Sequence, residues 1–187
     1  MRLSAILAFA LLSFPAAAAD SIADQAHAAF GIFAGGQSQL DYNLTGYAGA
    51  ALNNIAGRWV NLNGPAPRTG IETYGADTAK FCKSTAVLTL ASPDPLTLTL
   101  SAKPAAAEFT QIYTLVAGST FSQYTDPKTY FAAIGLGPDK SGPGYDERRA
   151  IALSLANGIV QIYRPSDDIL VITRDRAYPT ILARCPA

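Results

Sequence analysis

The chain has 187 residues, with 14 Lys+Arg against 14 Asp+Glu and a formal net charge of +0 at pH 7. A surface without excess positive charge argues against nucleic acid and anionic membrane as main partners, since both reward clustered cations; no basic run exceeds the pair Arg148–Arg149. The length suits one domain with a substantial core.

Residues 1–19 open with a single positive charge at Arg2 and continue through an almost wholly apolar stretch, Leu3 to Phe14. Pro15 breaks that stretch, and the small residues Ala16 to Ala19 precede Asp20. This order is the grammar of a secretory signal peptide cleaved after Ala19. The expectation is a periplasmic or secreted protein. Removing nineteen residues from 187 leaves 168, with 13 basic residues against 14 acidic ones. No cysteine follows the alanines to mark a lipid attachment point. No second long apolar stretch offers a transmembrane segment.

After the leader, residues 20–34 read as a short helix. Ser21 and Asp24 give a capping-box pattern, and Ile22, Ala26, Phe30 and Phe33 recur at helical spacing. Gly35-Gly36 ends it. Residues 37–56 are rich in Gly, Ala and Asn, with a second short helix expected over residues 48–55. Asn43-Leu44-Thr45 fits an N-glycosylation sequon, a pattern common by chance. Residues 20–56 thus form an N-terminal extension to a β-domain spanning residues 57–187.

From Gly57 the period becomes strand-like. A first strand is expected over residues 57–62, followed by a Gly- and Pro-rich connection over residues 63–80. Residues 86–90 and the strictly alternating Leu96-Thr97-Leu98-Thr99-Leu100-Ser101 flank a turn at Ser92-Pro93-Asp94-Pro95. Strands over residues 109–116 and 121–125 meet at Ala117-Gly118-Ser119. Residues 135–149 read as a long loop. Asn157-Gly158 then predicts a type I′ hairpin in which Leu155 faces Val160 and Leu153 faces Ile162. A turn at residues 164–168 and strands over residues 169–174 and 180–184 complete eight or nine short strands. The fold class is mainly β, an antiparallel meander barrel or a sandwich, with a short N-terminal helical extension.

Only two cysteines occur, Cys82 and Cys185. In an oxidising compartment they are expected to pair, the alternative being two buried thiols. Closing a loop of that length contributes roughly 4–5 kcal/mol in the chain-entropy description. The absence of a CxxC motif argues against thiol-redox chemistry.

His27 is the only histidine and lies in the N-terminal helix, where it reads as a solvated residue. Without a second histidine or a thiolate cluster there is no ligand set for zinc or copper, and no Ser-His-Asp or Cys-His catalytic arrangement. No metal or other cofactor is expected. The carboxylates Asp126, Asp146-Glu147 and Asp167-Asp168 fall in predicted turns or loops, where backbone hydrogen bonding explains them. The glycines of residues 135–144 lack the spacing and context of a phosphate-binding loop. Tyrosines are the more informative set. Tyr113, Tyr124, Tyr130, Tyr145, Tyr163 and Tyr178 lie in or beside the β region, and a tyrosine offers an apolar body with a polar tip. Tyr113, Tyr124 and Tyr163 are the candidate ligand-binding residues.

Gly57-Arg58-Trp59, opening the first strand after a helical segment, resembles the Gly-x-Trp motif of lipocalins. The resemblance implies an eight-stranded up-and-down barrel in which Trp59 plugs the closed end. It further implies an arginine near the last strand packing across that tryptophan, and Arg174 is the residue taken for it. A bridge from Cys82 to Cys185 is also similar. The Thr-Asp-Tyr motif of that family has only a partial echo in Thr125-Asp126-Pro127, and no C-terminal helix is evident. Bacterial metalloprotease inhibitors with a small lipocalin-like barrel look similar to a comparable degree. The leading functional expectation is therefore a non-enzymatic exported protein holding a small apolar or amphipathic ligand in its barrel. The alternative is a protein-binding module, such as a periplasmic protease inhibitor or an envelope assembly factor, using residues 20–56 or the loop 135–149. A carboxylate-dependent enzyme comes third.

Overall fold

A computed structural model of the chain describes residues 21–34, 52–63, 77–84, 87–103, 107–175 and 177–186, with helix residues 30–34 described by their backbone. The leader, the sequon, residues 48–51 of the expected second N-terminal helix and most of the 63–80 connection lie outside the described residues, and residues 52–54 form a turn instead of a helix.

Eight strands run in chain order: β1 Gly57–Asn61, β2 Leu88–Asp94, β3 Thr97–Ala102, β4 Phe109–Ala117, β5 Thr120–Thr125, β6 Gly158–Ser166, β7 Ile169–Thr173 and β8 Thr180–Arg184. Each pairs antiparallel with its neighbour, and β8 returns to pair with β1. The result is a closed barrel, so the sandwich alternative is excluded. Closure leaves no sheet edge to protect.

Alternation along the strands separates an inside from an outside. Leu98 and Leu100 on β3, Tyr113 on β4, Phe121 on β5, Ile162 on β6, Leu170 and Ile172 on β7 and Leu182 on β8 join one buried cluster inside the barrel. A second cluster lies on the outer face, where Val60, Tyr163, Ile169, Val171, Ile181 and Ala183 meet Ala26 and Ala29 of helix α1, Ile22–Ala34. β7 is therefore apolar at four consecutive positions because both of its faces are covered. The small side chains of Ala26 and Ala29 let α1 lie close to the sheet. Ser21 begins this helix as expected: its Oγ accepts the Asp24 N–H at 3.2 Å and donates to Asp24 Oδ2 at 2.6 Å. His27 is exposed on it.

A short helix α2, Thr78–Phe81, leads into the disulfide between Cys82 and Cys185, whose Cα atoms are 5.6 Å apart. The bridge clamps the end of the chain beside β1, where the Cys185 N–H donates to the Arg58 carbonyl at 2.8 Å and the Arg58 guanidinium donates to the Cys82 carbonyl.

Three sequence expectations are corrected. Asn157-Gly158 is not a hairpin turn: it joins helix α4, Pro143–Ala156, to β6. Ile151, Leu153 and Leu155 imitate strand alternation, yet the buried face is the helical pair Ala152 and Ala156, while Ile151 and Leu155 are exposed. Consequently the predicted loop at 135–149 is helical from Pro143, which occupies the first turn with Asp146. Lastly, β2 continues through Ser92 and Pro93 to Asp94, and the turn falls at Pro95-Leu96. Pro93 is tolerated because the ladder breaks its register between Ala91 and Asp94, where no N–H is required. Asp94 Oδ1 accepts the Leu96 N–H at 2.8 Å and fixes that turn.

Candidate functional site

The two ends of the barrel differ in chemistry. At one end, residues 52–56 are strapped across the opening, with Leu52 and Ile55 buried in the interior cluster. Trp59 is fully buried beneath them, and its Nε1 donates to the Ile55 carbonyl at 3.1 Å. Arg184 lies over the indole, 4.6 Å from the ring centroid. It donates to the carbonyls of Asn54 at 2.5 Å, Ala56 at 3.0 Å and Asp167 at 3.1 Å. Arg164 donates to the Asn53 carbonyl and to Asp167 Oδ1 at 3.0 Å. Gly57 has φ +143, and a Cβ there would stand 3.1 Å from Arg184 Nη1. Gly57, Trp59 and Arg184 thus form one unit that plugs this end. The arginine across Trp59 is Arg184 and not Arg174, a correction set by the register: Trp59 and Arg184 are direct partners where β8 meets β1.

The opposite end holds a cavity of about 370 Å³. Its wall is apolar over Leu88, Leu100, Phe109 and Ile172, with Tyr113, Tyr130, Gln111 and Arg174 as polar groups. Tyr113 projects inward from β4, and its hydroxyl donates to Gln111 Oε1 at 2.8 Å. Tyr130 comes from helix α3, Pro127–Ala133, whose N-cap Asp126 accepts the Thr129 N–H at 2.9 Å. Its ring packs edge-on against Phe109, with centroids 5.0 Å apart. Arg174 follows β7, and its Nη2 donates to Gln123 Oε1 at 3.0 Å. Gln123 is only 3% exposed, and its Nε2 has no hydrogen-bond partner among the described residues. Burial raises the Tyr113 phenol well above its ordinary range, with the Arg174 charge opposing. Tyr130 is raised by burial in the same way, again against Arg174. Both hydroxyls therefore stay protonated donors at neutral pH.

Helix α4 contributes Leu155 to the cavity wall. Its C-terminal end is pinned to β5, because Thr125 Oγ1 donates to the Ala156 carbonyl at 2.9 Å and the Thr125 N–H donates to Asn157 Oδ1 at 2.8 Å. Arg149 fastens the preceding connection through the carbonyls of Leu136 at 2.9 Å and Gly137 at 2.6 Å.

Of the three candidate tyrosines, Tyr113 alone reaches the cavity. Tyr124 is 55% exposed on the outer face of β5. Tyr163 is buried outside the barrel in the cluster under α1, and its hydroxyl donates to Gln161 Oε1 at 2.5 Å. The reason is parity: Tyr124 is one residue out of phase with inward-facing Gln123, and Tyr163 with Ile162. Tyr130 and Tyr178 belong to the wider tyrosine set and do line the cavity. Gln123 and the interior position of Arg174 escaped the sequence reading, although alternation from Phe121 and Ile172 marks both. No group of three or more metal-ligating side chains occurs among the described residues, and no helix there is long and apolar enough to cross a membrane.

No protein-family model, no curated protein and no solved structure matches this chain.

Proposed function

We propose that this is an exported, non-enzymatic, lipocalin-like binding protein that takes a small amphipathic ligand into the open end of its barrel. The observation that carries this reading is that Trp59, Arg184 and residues 52–56 plug the barrel interior at one end, where a depression of about 330 Å³ lies between residues 52–56 and 92–95, whereas at the other end a cavity of about 370 Å³ reaches the inward-facing Leu100, Tyr113 and Leu182. The lining is mixed, with apolar side chains such as Leu100, Phe109 and Ile172 beside polar ones such as Asn61, Gln111, Arg174 and Thr180, which suits an amphipathic molecule, and the volume falls within the range of about 300–1,000 Å³ for small-molecule sites. Barrels of about eight strands either pack solid or hold one small molecule. The Gly57-Arg58-Trp59 motif with Arg184 across the indole supports the lipocalin likeness. The leader pattern and the Cys82–Cys185 bridge support export.

Native mass spectrometry of the protein purified after export, before and after mild denaturation, tests this reading. A bound small molecule released on denaturation is expected. An apo mass together with no uptake of a neutral fluorescent probe such as N-phenyl-1-naphthylamine would overturn it. A second reading, a protein-binding module, is favoured by one feature: Ile112, Tyr124 and Ile159 are exposed on the outer face of β4, β5 and β6. Ile112 pairs directly with Tyr124, and Ile159 lies diagonal to it. Capture of an envelope protein by the native chain, lost in Tyr124→Ser with Ile159→Ser, would favour that reading.

A further inference from the structure

Among the described residues three arginines project from inward-facing positions, and Arg174 has the fewest of its donors engaged. Arg184 is committed to three carbonyls and the Trp59 face. Arg164, apart from its Nε, is committed to the Asn53 carbonyl and to Asp167. Arg174 makes one hydrogen bond, to the neutral amide oxygen of Gln123, and forms no ion pair with a carboxylate among the described residues.

From this we propose that the ligand is a small organic monocarboxylate, its carboxylate taken by Arg174 and its apolar body lying against Phe109 and Tyr130. The proposal rests on the binding reading above and deepens it. A guanidinium offers five N–H donors in a planar fork that matches a carboxylate, and a partly buried cation without a counter-ion favours an anion in the site. Gln123 fixes the guanidinium: an arginine only donates, so the amide oxygen must face it and the buried Nε2 must face away without an acceptor. The described polar groups that share the cavity wall with Arg174 include no carboxylate: Asn61, Gln111 and Thr180 are neutral, and Tyr113 and Tyr130 stay protonated. Among the described residues of the wall Arg174 is the one cation, which suits a single charge, whereas a phosphate dianion would call for a second cation or a nest of backbone N–H groups. The edge-on pair of Phe109 and Tyr130 suits a flat aromatic or short aliphatic body.

The test uses three probes of one shape: 2-naphthoic acid, its neutral carboxamide, and 2-naphthyl phosphate, titrated into the native protein by calorimetry at pH 7.5. The acid is expected to bind about tenfold or more tighter than the amide, as a charge-assisted hydrogen bond implies. Arg174→Leu should erase that preference by weakening the acid far more than the amide, and Arg174→Lys should restore part of it. Should Arg174→Leu fail to fold, the comparison of acid with amide on the native protein still decides. Equal binding of acid and amide would overturn the carboxylate and leave the binding reading standing. Tighter binding of the phosphate would overturn the single-charge assignment. No binding of any probe would overturn both readings together.

Discussion

Trp59 on the first strand and Arg184 on the last are direct cross-strand partners, and the guanidinium lies 4.6 Å from the indole centroid. The same arginine reaches three backbone carbonyls of the segments that close this end. One side chain therefore joins barrel closure to the plug. Arg184→Leu removes the cation–π contact and three hydrogen bonds, and should cost about 2–4 kcal/mol of unfolding free energy in urea. Arg184→Lys should recover little, because an ammonium lacks the planar fork. Arg174→Leu, at the cavity end, should cost distinctly less. Equal losses at the two positions would contradict the division of labour between the ends.

The Cys82–Cys185 bridge spans a sequence separation of 103 and ties the end of the chain back to α2 and β1. Such a closure contributes roughly 4–5 kcal/mol by restricting the unfolded chain. Cys82→Ser with Cys185→Ser should lower the melting temperature by about 10 °C or more for a chain of this size. The neighbouring backbone bond from Cys185 to Arg58 should then show faster hydrogen exchange than the Trp59 region.

Gly158 has φ +126 at the junction of α4 and β6, a conformation that L side chains rarely adopt, and a Cβ placed there would meet no atom within 4 Å. Gly158→Ala is thus penalised by backbone strain and not by a clash, at about 1–3 kcal/mol. Asn157 Oδ1 accepts the Thr125 N–H while its Nδ2 donates to the Leu153 carbonyl at 3.2 Å. Asn157→Ala leaves that half-buried N–H without its acceptor, costing about 1–2 kcal/mol. Urea titration of the two variants separates the effects, and a neutral result in both would exclude the junction as a stabilising feature.

That junction also shows what sequence reasoning could reach. Alternation in β3 is legible because one face is leucine and the other is threonine or serine, and Trp59 with Gly57 is legible as a motif. Asn157-Gly158 misled because a residue pair carries the same signal at a hairpin and at a helix end. Choosing between them required noticing that Ala152 and Ala156, rather than the larger Ile151 and Leu155, face the protein. The arginine of the plug was illegible for a different reason. Arg184 meets Trp59 only through the pairing of β8 with β1, a register set by the whole barrel and by no local pattern. The cavity shared that fate, since Tyr130 and Arg174 approach Tyr113 from an inserted helix and from a distant strand end.

Helix α3, which carries Tyr130, depends on its cap. Asp126 Oδ1 accepts the Thr129 N–H at 2.9 Å and the Thr129 hydroxyl at 2.9 Å. These bonds, the backbone one foremost, hold its carboxyl below the ordinary 3.8. A carboxylate whose folded pKa is depressed stabilises the fold above its unfolded value, and that contribution fades as pH falls through the folded pKa. Protection of the α3 amides, referred to the intrinsic exchange rate at each pH, should fall on acidification below about pH 4 in the native protein. Asp126→Asn keeps a capping oxygen without the titration, so its α3 exchange should show a weaker acid response. An unchanged response would place the acid sensitivity elsewhere.

Tyr113 gives the opposite dependence. Its phenol is fully buried, and desolvation raises its folded pKa above the ordinary 10.0 while Arg174 only partly offsets the rise. The folded state therefore binds this proton more tightly than the unfolded chain. The contribution is complete below the unfolded value, begins to fade as pH passes 10.0, and is lost as pH rises through the folded pKa. Denaturant midpoints measured from pH 8 upward should fall beyond about pH 10 in the native protein. Tyr113→Phe loses the hydrogen bond to Gln111, costing about 1 kcal/mol at neutral pH. In exchange it should fall less steeply in alkali, so the two stability curves should converge there. Parallel curves would mean that another tyrosine or a lysine sets the alkaline limit, and that the Tyr113 hydroxyl is open to water at the mouth of the cavity.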